Sequence, residues 1–261
     1  MAKRKKIFTT GVNSGIGKYI YNNIGGIGLT RSTSDEDFEK IKRDGVDIII
    51  HCAFNSKVNI NSDSLYQYLE DNVLLTKKLL SIPHKKFIFF STVDIYPKDN
   101  KYHSEDETIE INSICGIYGI TKMISESIVR NFSKNYIILR PTALLGLYSR
   151  KNTLIEILES INNITINLSA NSVFNFVLYS DILNFIKFSI NNDIKGIYNL
   201  SSSKNIVLSE IVKMLGKKVQ FGNYIYNVGN INNTKISSIF PAFNKTSLEV
   251  INQFIEEREN V

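Results

Sequence analysis

The chain has 261 residues, 43% of them hydrophobic and 21% charged, with a formal net charge of +6. Such a length buries a sizeable core without disulfide or metal staples, and the ordinary composition excludes disordered, collagen-like and disulfide-scaffold chains. No apolar run approaches the roughly 20 residues that cross a bilayer, and the positive charges are scattered apart from residues 3–6. Neither a membrane nor a nucleic-acid partner is expected. The basic run leads directly into Ile7 rather than an apolar leader, which argues against secretion. Two cysteines, Cys52 and Cys115, lie in unrelated contexts and suggest a reducing, cytoplasmic compartment. His51, His84 and His103 share no ligand spacing, so no metal site is expected.

In chain order, residues 7–10 read as a short strand and 11–17 as a turn into a helix over 16–24, closed by Gly25-Gly26. A second strand is predicted over 27–31. Ser34 is a credible N-cap for a helix over 35–43 that carries acids in its first turn. Residues 46–53 form a near-continuous apolar run, the pattern of a strand buried on both faces. A long helix over 65–80 and a buried strand over 86–90 follow. A helix over 118–133 and a strand over 136–139, ending at Arg140-Pro141, complete the regular part. Alternating strands and helices predict an α/β chain with a doubly wound parallel sheet.

After Gly146 the pattern loosens, with helices predicted over 152–160, 180–191, 208–215 and 247–259 and a strand over 196–200. The expected layout is a dinucleotide-binding domain over 1–145, to which 176–200 returns. Residues 146–175 and 201–261 then form a smaller substrate-binding lobe.

Chemistry-bearing residues cluster at strand ends. Gly11, Ser14, Gly15, Ile16 and Gly17 form a Gly-x-x-x-Gly-x-Gly turn between first strand and first helix. Glycines let the backbone approach a pyrophosphate, and the helix N-terminus presents free N–H groups to it. The second strand is expected to end at Arg31-Ser32 with no acid before Asp35. An acid there would bind a ribose 2′-hydroxyl, whereas Arg31 suits a 2′-phosphate, which favours NADP over NAD. Tyr118 and Lys122 lie four apart and share one helix face, where the ammonium can lower the Tyr hydroxyl's pKa for acid/base work. Thr92, in the turn after the fourth strand, could bind the same substrate oxygen.

With these in order come Ile50-His51-Cys52-Ala53, Asn72, Ser125-Glu126, Arg140-Pro141-Thr142, Gly146, and Phe174-Asn175-Phe176-Val177 before Asp181. The set resembles the short-chain dehydrogenase/reductase superfamily in its extended, NAD-dependent epimerase/dehydratase branch, over nearly the whole chain. The resemblance implies a Rossmann sheet with Tyr118 as proton donor or acceptor. Lys122 would hold the nicotinamide ribose, and Thr92 would bind the reacting oxygen. Cys52, Ala53 and Phe54 would line the adenosine and ribose path, and Pro141 would face the nicotinamide. It also implies a homodimer through the helices over 65–80 and 118–133. Asn72 has two readings, a functional one and a backbone-bridging amide. His51 reads as a buried strand residue, and Cys115 as structural or merely near the pocket, with nothing to suggest an activated thiolate.

Two departures narrow the family. The glycine spacing is that of the classical branch, and only a helix fits between Arg31 and Val46, where longer members carry another strand. The short chain is closest in kind to 4-keto-sugar reductases such as dTDP-4-dehydrorhamnose reductase. Val93-Asp94 stands where dehydratases carry Asp-Glu, so water elimination is poorly supported. Asp94 and Tyr148 replace the Cys and His of the epimerising reductases. Asp94 is a turn residue or a second acid/base in contact with substrate, the former preferred. Asn175 would touch the nucleotide sugar, with Arg150 or Lys151 near its pyrophosphate. The leading expectation is NADPH-dependent reduction of a 4-keto nucleotide sugar. An NAD(P)-dependent 4-epimerase and a non-catalytic dinucleotide sensor are the alternatives.

Overall fold

The computed structural model describes residues 5–57, 59–99, 101–161 and 163–260. Lys3 and Arg4 of the basic run lie outside the described residues. The chain divides into two compact units. The first comprises Met1–Pro97, Thr108–Arg140 and Ile186–Tyr198, and the second Lys98–Glu107, Pro141–Phe185 and Asn199–Val261.

Strand β1 (Ile7–Thr10) leads into helix α1 (Gly15–Ile24), β2 (Ile27–Leu29), α2 (Asp35–Asp44) and β3 (Ile48–His51). Then come α3 (Ser62–Leu69), a π-helical turn (Glu70–Leu74), α4 (Leu75–Leu80) and β4 (Lys86–Phe90). Helix α5 (Gly116–Phe132), β5 (Tyr136–Pro141), α6 (Tyr179–Asn191) and β6 (Gly196–Leu200) follow. The sheet order is β6-β5-β4-β3-β1-β2. Every register from β2 to β5 is parallel, as a Rossmann sheet requires. Strand order reverses at β1, between β2 and β3. Ligands of open α/β sheets bind at such a switch point, beyond the carboxyl ends of the strands.

The local causes are plain. β3 and β4 are buried at every position, so their apolar runs need no alternation. Ser34 caps α2 by accepting a hydrogen bond from the Asp37 N–H, and three acids occupy the first turn. The expected helix over 65–80 begins earlier, at Ser62 behind an Asn61–Ser64 capping box, and is broken by the π turn. Ser125 Oγ donates to the Asn72 carbonyl in that turn at 2.8 Å, which satisfies a group the widened ladder releases. The second strand stops at Leu29, two residues short of the expected end, and α5 starts at Gly116 rather than Tyr118. Phe8, Phe38, Ile49, Leu79, Phe87, Val129 and Ile138 form the core of this unit.

The second unit is assembled from strand pairs. Phe176–Leu178 runs parallel to Ala143–Leu145, and Val219–Tyr224 parallel to Ile164–Leu168. Val173–Phe174 pairs antiparallel with Ile206–Val207. Helices Thr153–Glu159, Leu208–Met214 and Ser247–Glu259 supply Leu154, Ile211, Ile251 and Phe254 to its core. Four of these strands have only two or three residues, too short for a period to register, and sequence reading misses all six, the alternating Ile164–Leu168 included.

Candidate active site

The glycine turn follows β1 directly. Gly11 and Gly15 hold φ of 74° and 58°, the left-handed region that favours glycine. A Cβ on Gly17 would lie 2.4 Å from the Gly11 carbonyl oxygen, so only glycine lets α1 sit this close to β1. Ser14 is the N-cap of α1, yet its side chain makes no capping bond. Ile16 is buried on the core side of the helix. These are the parts of a cradle for an anionic group: a tight glycine backbone and a helix N-terminus whose cap makes no side-chain bond.

Thr10 closes the floor of that turn. Its hydroxyl accepts from the Cys52 and Ala53 N–H groups at 3.1 and 2.9 Å and meets His51 Nδ1 at 2.8 Å. The far nitrogen of His51 meets the Thr76 hydroxyl at 3.1 Å. Burial first, then the Lys122 charge, pull His51 from 6.5 down to about 3, so the ring is neutral. His51 is therefore a buried strand residue holding two hydroxyls. Burial also pushes the Cys52 thiol well above its usual range. Neither cysteine is disulfide-bonded.

Arg31 and Ser32 lie beyond the end of β2. Arg31 is exposed and ion-paired with Asp71 at 3.2 Å, while the Ser32 hydroxyl meets that of Thr30 at 2.8 Å. Sequence reading missed Asp71, whose carboxylate also accepts from Asn55 Nδ2 at 2.8 Å. Beside it, Asn72 brackets the backbone of Asn55. Its Oδ1 accepts from the Asn55 N–H at 2.7 Å and its Nδ2 donates to the Asn55 carbonyl at 3.2 Å. The bridging-amide reading of Asn72 describes this geometry.

The β4 end and the start of α5 meet closely. Thr92 caps a 3₁₀ turn, Val93–Ile95, by accepting from the Asp94 N–H at 3.1 Å and lies 3.3 Å from an Asp94 carboxylate oxygen. Asp94 is thus half-buried in a turn. A Cβ on Gly119 would lie 2.5 Å from the Asp94 carbonyl oxygen, so glycine beside Tyr118 is what lets α5 pack on this turn. Tyr118 is half-buried, and Lys122, one turn on, is 5% exposed. Lys122 Nζ donates to the Phe90 carbonyl at 2.7 Å. Burial lowers its pKa to about 8, opposed by Cys52 and Glu126. Thr92, Tyr118 and Lys122 therefore gather where β4 ends.

Behind them lies an ion pair. Arg140 makes a two-pronged contact with Glu126 at 3.0 and 2.7 Å and donates to the Tyr96 hydroxyl at 2.7 Å. Both charged residues are buried. Burial works against the Arg140 charge, but Glu126 outweighs it and holds the guanidinium's pKa up. The network ties α5, β5 and the turn after β4 to one another.

The remaining expected residues lie in the second unit. Pro141 is the buried last residue of β5. Asn175 is 2% exposed, and its amide is fully engaged. Its Oδ1 accepts from Thr142 Oγ1 and the Ser202 N–H, and its Nδ2 donates to the Ser202 carbonyl and to Asn205. The observed place of Asn175 is a structural hub rather than a presented side chain. Among the described residues no cluster of His, Cys, Asp and Glu could hold a metal ion, and no helix is long and apolar enough to cross a membrane.

Residues 10–201 match the sequence profile of the NAD dependent epimerase/dehydratase family. The chain belongs to that family. Membership makes it an NAD(P)-dependent enzyme of the short-chain dehydrogenase/reductase type, and the cradle at Gly11–Gly17 fits a dinucleotide's pyrophosphate. No curated protein matches the sequence. Solved structures share the fold at low identity. The dTDP-4-dehydrorhamnose reductase of Bacillus anthracis, in complex with NADP, superposes with a TM-score of 0.81 at 17% identity, covering 98% of this chain and 100% of that one. The corresponding reductase of Yersinia enterocolitica gives 0.77 at 20% identity, over 96% and 99% of the two chains. The UDP-glucuronic acid 4-epimerase of Bacillus cereus, in complex with UDP-glucuronic acid and NAD, gives 0.74 at 19%, over 97% and 99%.

Proposed function

We propose that this family member reduces a 4-keto nucleotide sugar with NADPH. The observation that carries the reading is the trio at the β4 end: Tyr118 and Lys122 on one face of α5, packed on the turn that begins at Thr92. The Gly11–Gly17 cradle binds the pyrophosphate through backbone N–H groups, and Cys52, Ala53 and Phe54 line the adenosine and ribose path. When bound, the cofactor supplies the hydride. Thr92 offers its hydroxyl to the substrate carbonyl oxygen. Tyr118 donates its proton as that oxygen becomes an alkoxide, and the Lys122 ammonium stabilises the tyrosinate left behind. Lys122 also holds the nicotinamide ribose, with Pro141 facing the ring. Asp94 keeps the Thr92 turn in shape. The second unit is the substrate lobe.

The NADPH preference rests on Arg31. Its present partner, Asp71, makes an exposed and therefore weak pair, which a doubly charged 2′-phosphate can displace. The exposed Tyr66, Leu74 and Phe132 lie on the helices expected to pair two copies, in keeping with a homodimer. Incubation with NADPH and a panel of 4-keto and ordinary nucleotide sugars tests the reaction. Net NADPH consumption with a keto sugar is expected. Sugar interconversion without net consumption would instead support the 4-epimerase reading, which uses the same three side chains and has a fold neighbour in the Bacillus cereus enzyme. Binding with neither outcome would leave a sensor. Tyr118→Phe should lower turnover by roughly 10²–10⁴-fold with NADPH still bound, and undiminished turnover removes its proton-donor role. Arg31→Asp should shift the NADPH:NADH ratio toward NADH, and an unchanged ratio removes the 2′-phosphate argument.

A further inference from the structure

Phe54 stands three residues beyond the end of β3, where its ring meets both members of the Tyr-Lys pair. The Phe54 and Tyr118 ring centroids are 4.6 Å apart, with planes tilted by 57°. Lys122 Nζ lies over the Phe54 ring, 4.7 Å from its centroid, and 4.9 Å from that of Phe89. An ammonium has three donors. Here the Phe90 carbonyl takes one at 2.7 Å, and two aromatic faces stand beside the charge in place of bulk water.

The ring is held from behind. Tyr68 meets its edge at 6.2 Å and 84°, and the Tyr68 side chain hydrogen-bonds those of Thr121 and Asn72. Asn72 in turn brackets the backbone of Asn55, the residue after Phe54, on both sides of its peptide. The π turn therefore sets the height of Phe54, and Phe54 meets α5. A ring face attracts a desolvated cation through its quadrupole, whereas an aliphatic side chain of similar bulk only excludes water.

We propose that Phe54 is a positioning residue for the Tyr118–Lys122 pair, its ring seating the tyrosine and covering the lysine charge with an aromatic face. This rests on the reading of those two residues given above. It deepens that reading, because the ring does two separable things to Lys122. It keeps water away, which disfavours the charge, and it supplies a π face, which favours it. Two substitutions pull these apart in opposite directions.

The titration of Lys122, lowered by burial to about 8, can be followed without turnover. Protein labelled with ¹³C at the lysine ε-carbon reports it by NMR, with Lys122→Arg assigning the signal by its loss. Phe54→Leu keeps the site dry and removes the π face, so the Lys122 midpoint should fall by roughly 0.5–1.5 pH units, about a 3- to 30-fold loss of proton affinity. Phe54→Ala admits water, and the midpoint should rise toward that of a free lysine. Phe54→Tyr retains the face and should titrate like the parent. A leucine variant that folds and titrates like the parent overturns the proposal. Phe54→Met carries the same test should the leucine variant fail to fold. Failure of the proposed reduction would appear instead as no NADPH consumption by the parent protein, with the titrations unaffected.

Discussion

The two units of the chain are built on different principles. The first is a layered sheet whose central strands β3 and β4 are mostly apolar, with Ile49 and Phe87 fully buried. The second has an apolar core as well, but its short strand pairs are stitched by buried amides and hydroxyls. Asn175 joins Thr142, Ser202 and Asn205, and the Ser202 hydroxyl meets that of Ser247 at 2.7 Å. In a long parallel sheet the ladder satisfies the backbone. Short irregular segments leave backbone groups that side chains must satisfy instead. The difference also sorts the candidate site. Residues of the β1 turn, the β3 end and the β4–α5 junction belong to the first unit, whereas Pro141 and Asn175 belong to the second.

The largest expected effect strikes the buried ion pair of the first unit. Glu126→Ala strands Arg140 as a buried charge and should destabilise the protein by about 3–5 kcal/mol, read from urea unfolding. A loss below 1 kcal/mol would mean that the first unit tolerates an unpaired buried charge. Next comes the second unit. Asn175→Ala leaves the Ser202 N–H and carbonyl without their partner, for roughly 1–3 kcal/mol. If the same unfolding measurement finds no change, polar stitching does not hold that unit together.

A smaller, graded effect comes from His51. Burial holds its pKa at about 3, below the 6.5 of an ordinary histidine. Between those values the unfolded chain binds a proton that the folded one refuses. Stability should therefore decline as pH falls from about 6.5 toward 3, by at most about 1.4 kcal/mol per unit from this group. Unfolding free energies stepped from pH 7 to pH 4 measure the slope, and His51→Gln should flatten it. An equal slope in that variant would assign the acid sensitivity to other groups.

Legibility followed the range of the signal. Strands β1 and β4, the Ser34 cap and the Tyr118–Lys122 spacing depend on near neighbours, and each stands close to where its pattern predicted. Boundaries drifted where the next residues were equally permissive, as at Leu29 and Gly116. Asn72 had two readings in sequence because its partner, Asn55, lies on another segment. Asn175 looked like a presented polar side chain because nothing local announces the Ser202 backbone that occupies it.

By itself, then, the sequence determined the alternation of strands and helices, the glycine turn and the presence of a Tyr-Lys pair on one helix face. All three follow from periods and backbone freedoms that act within a few residues. Only the tertiary structure decided who meets whom across the layers: Thr10 with His51, Arg31 with Asp71, Glu126 with Arg140, and Phe54 over Lys122. Such pairs are separated by 14 to 68 positions in the chain. No local period encodes them, because they arise when the parallel sheet brings successive strand ends to one edge and helices pack across them.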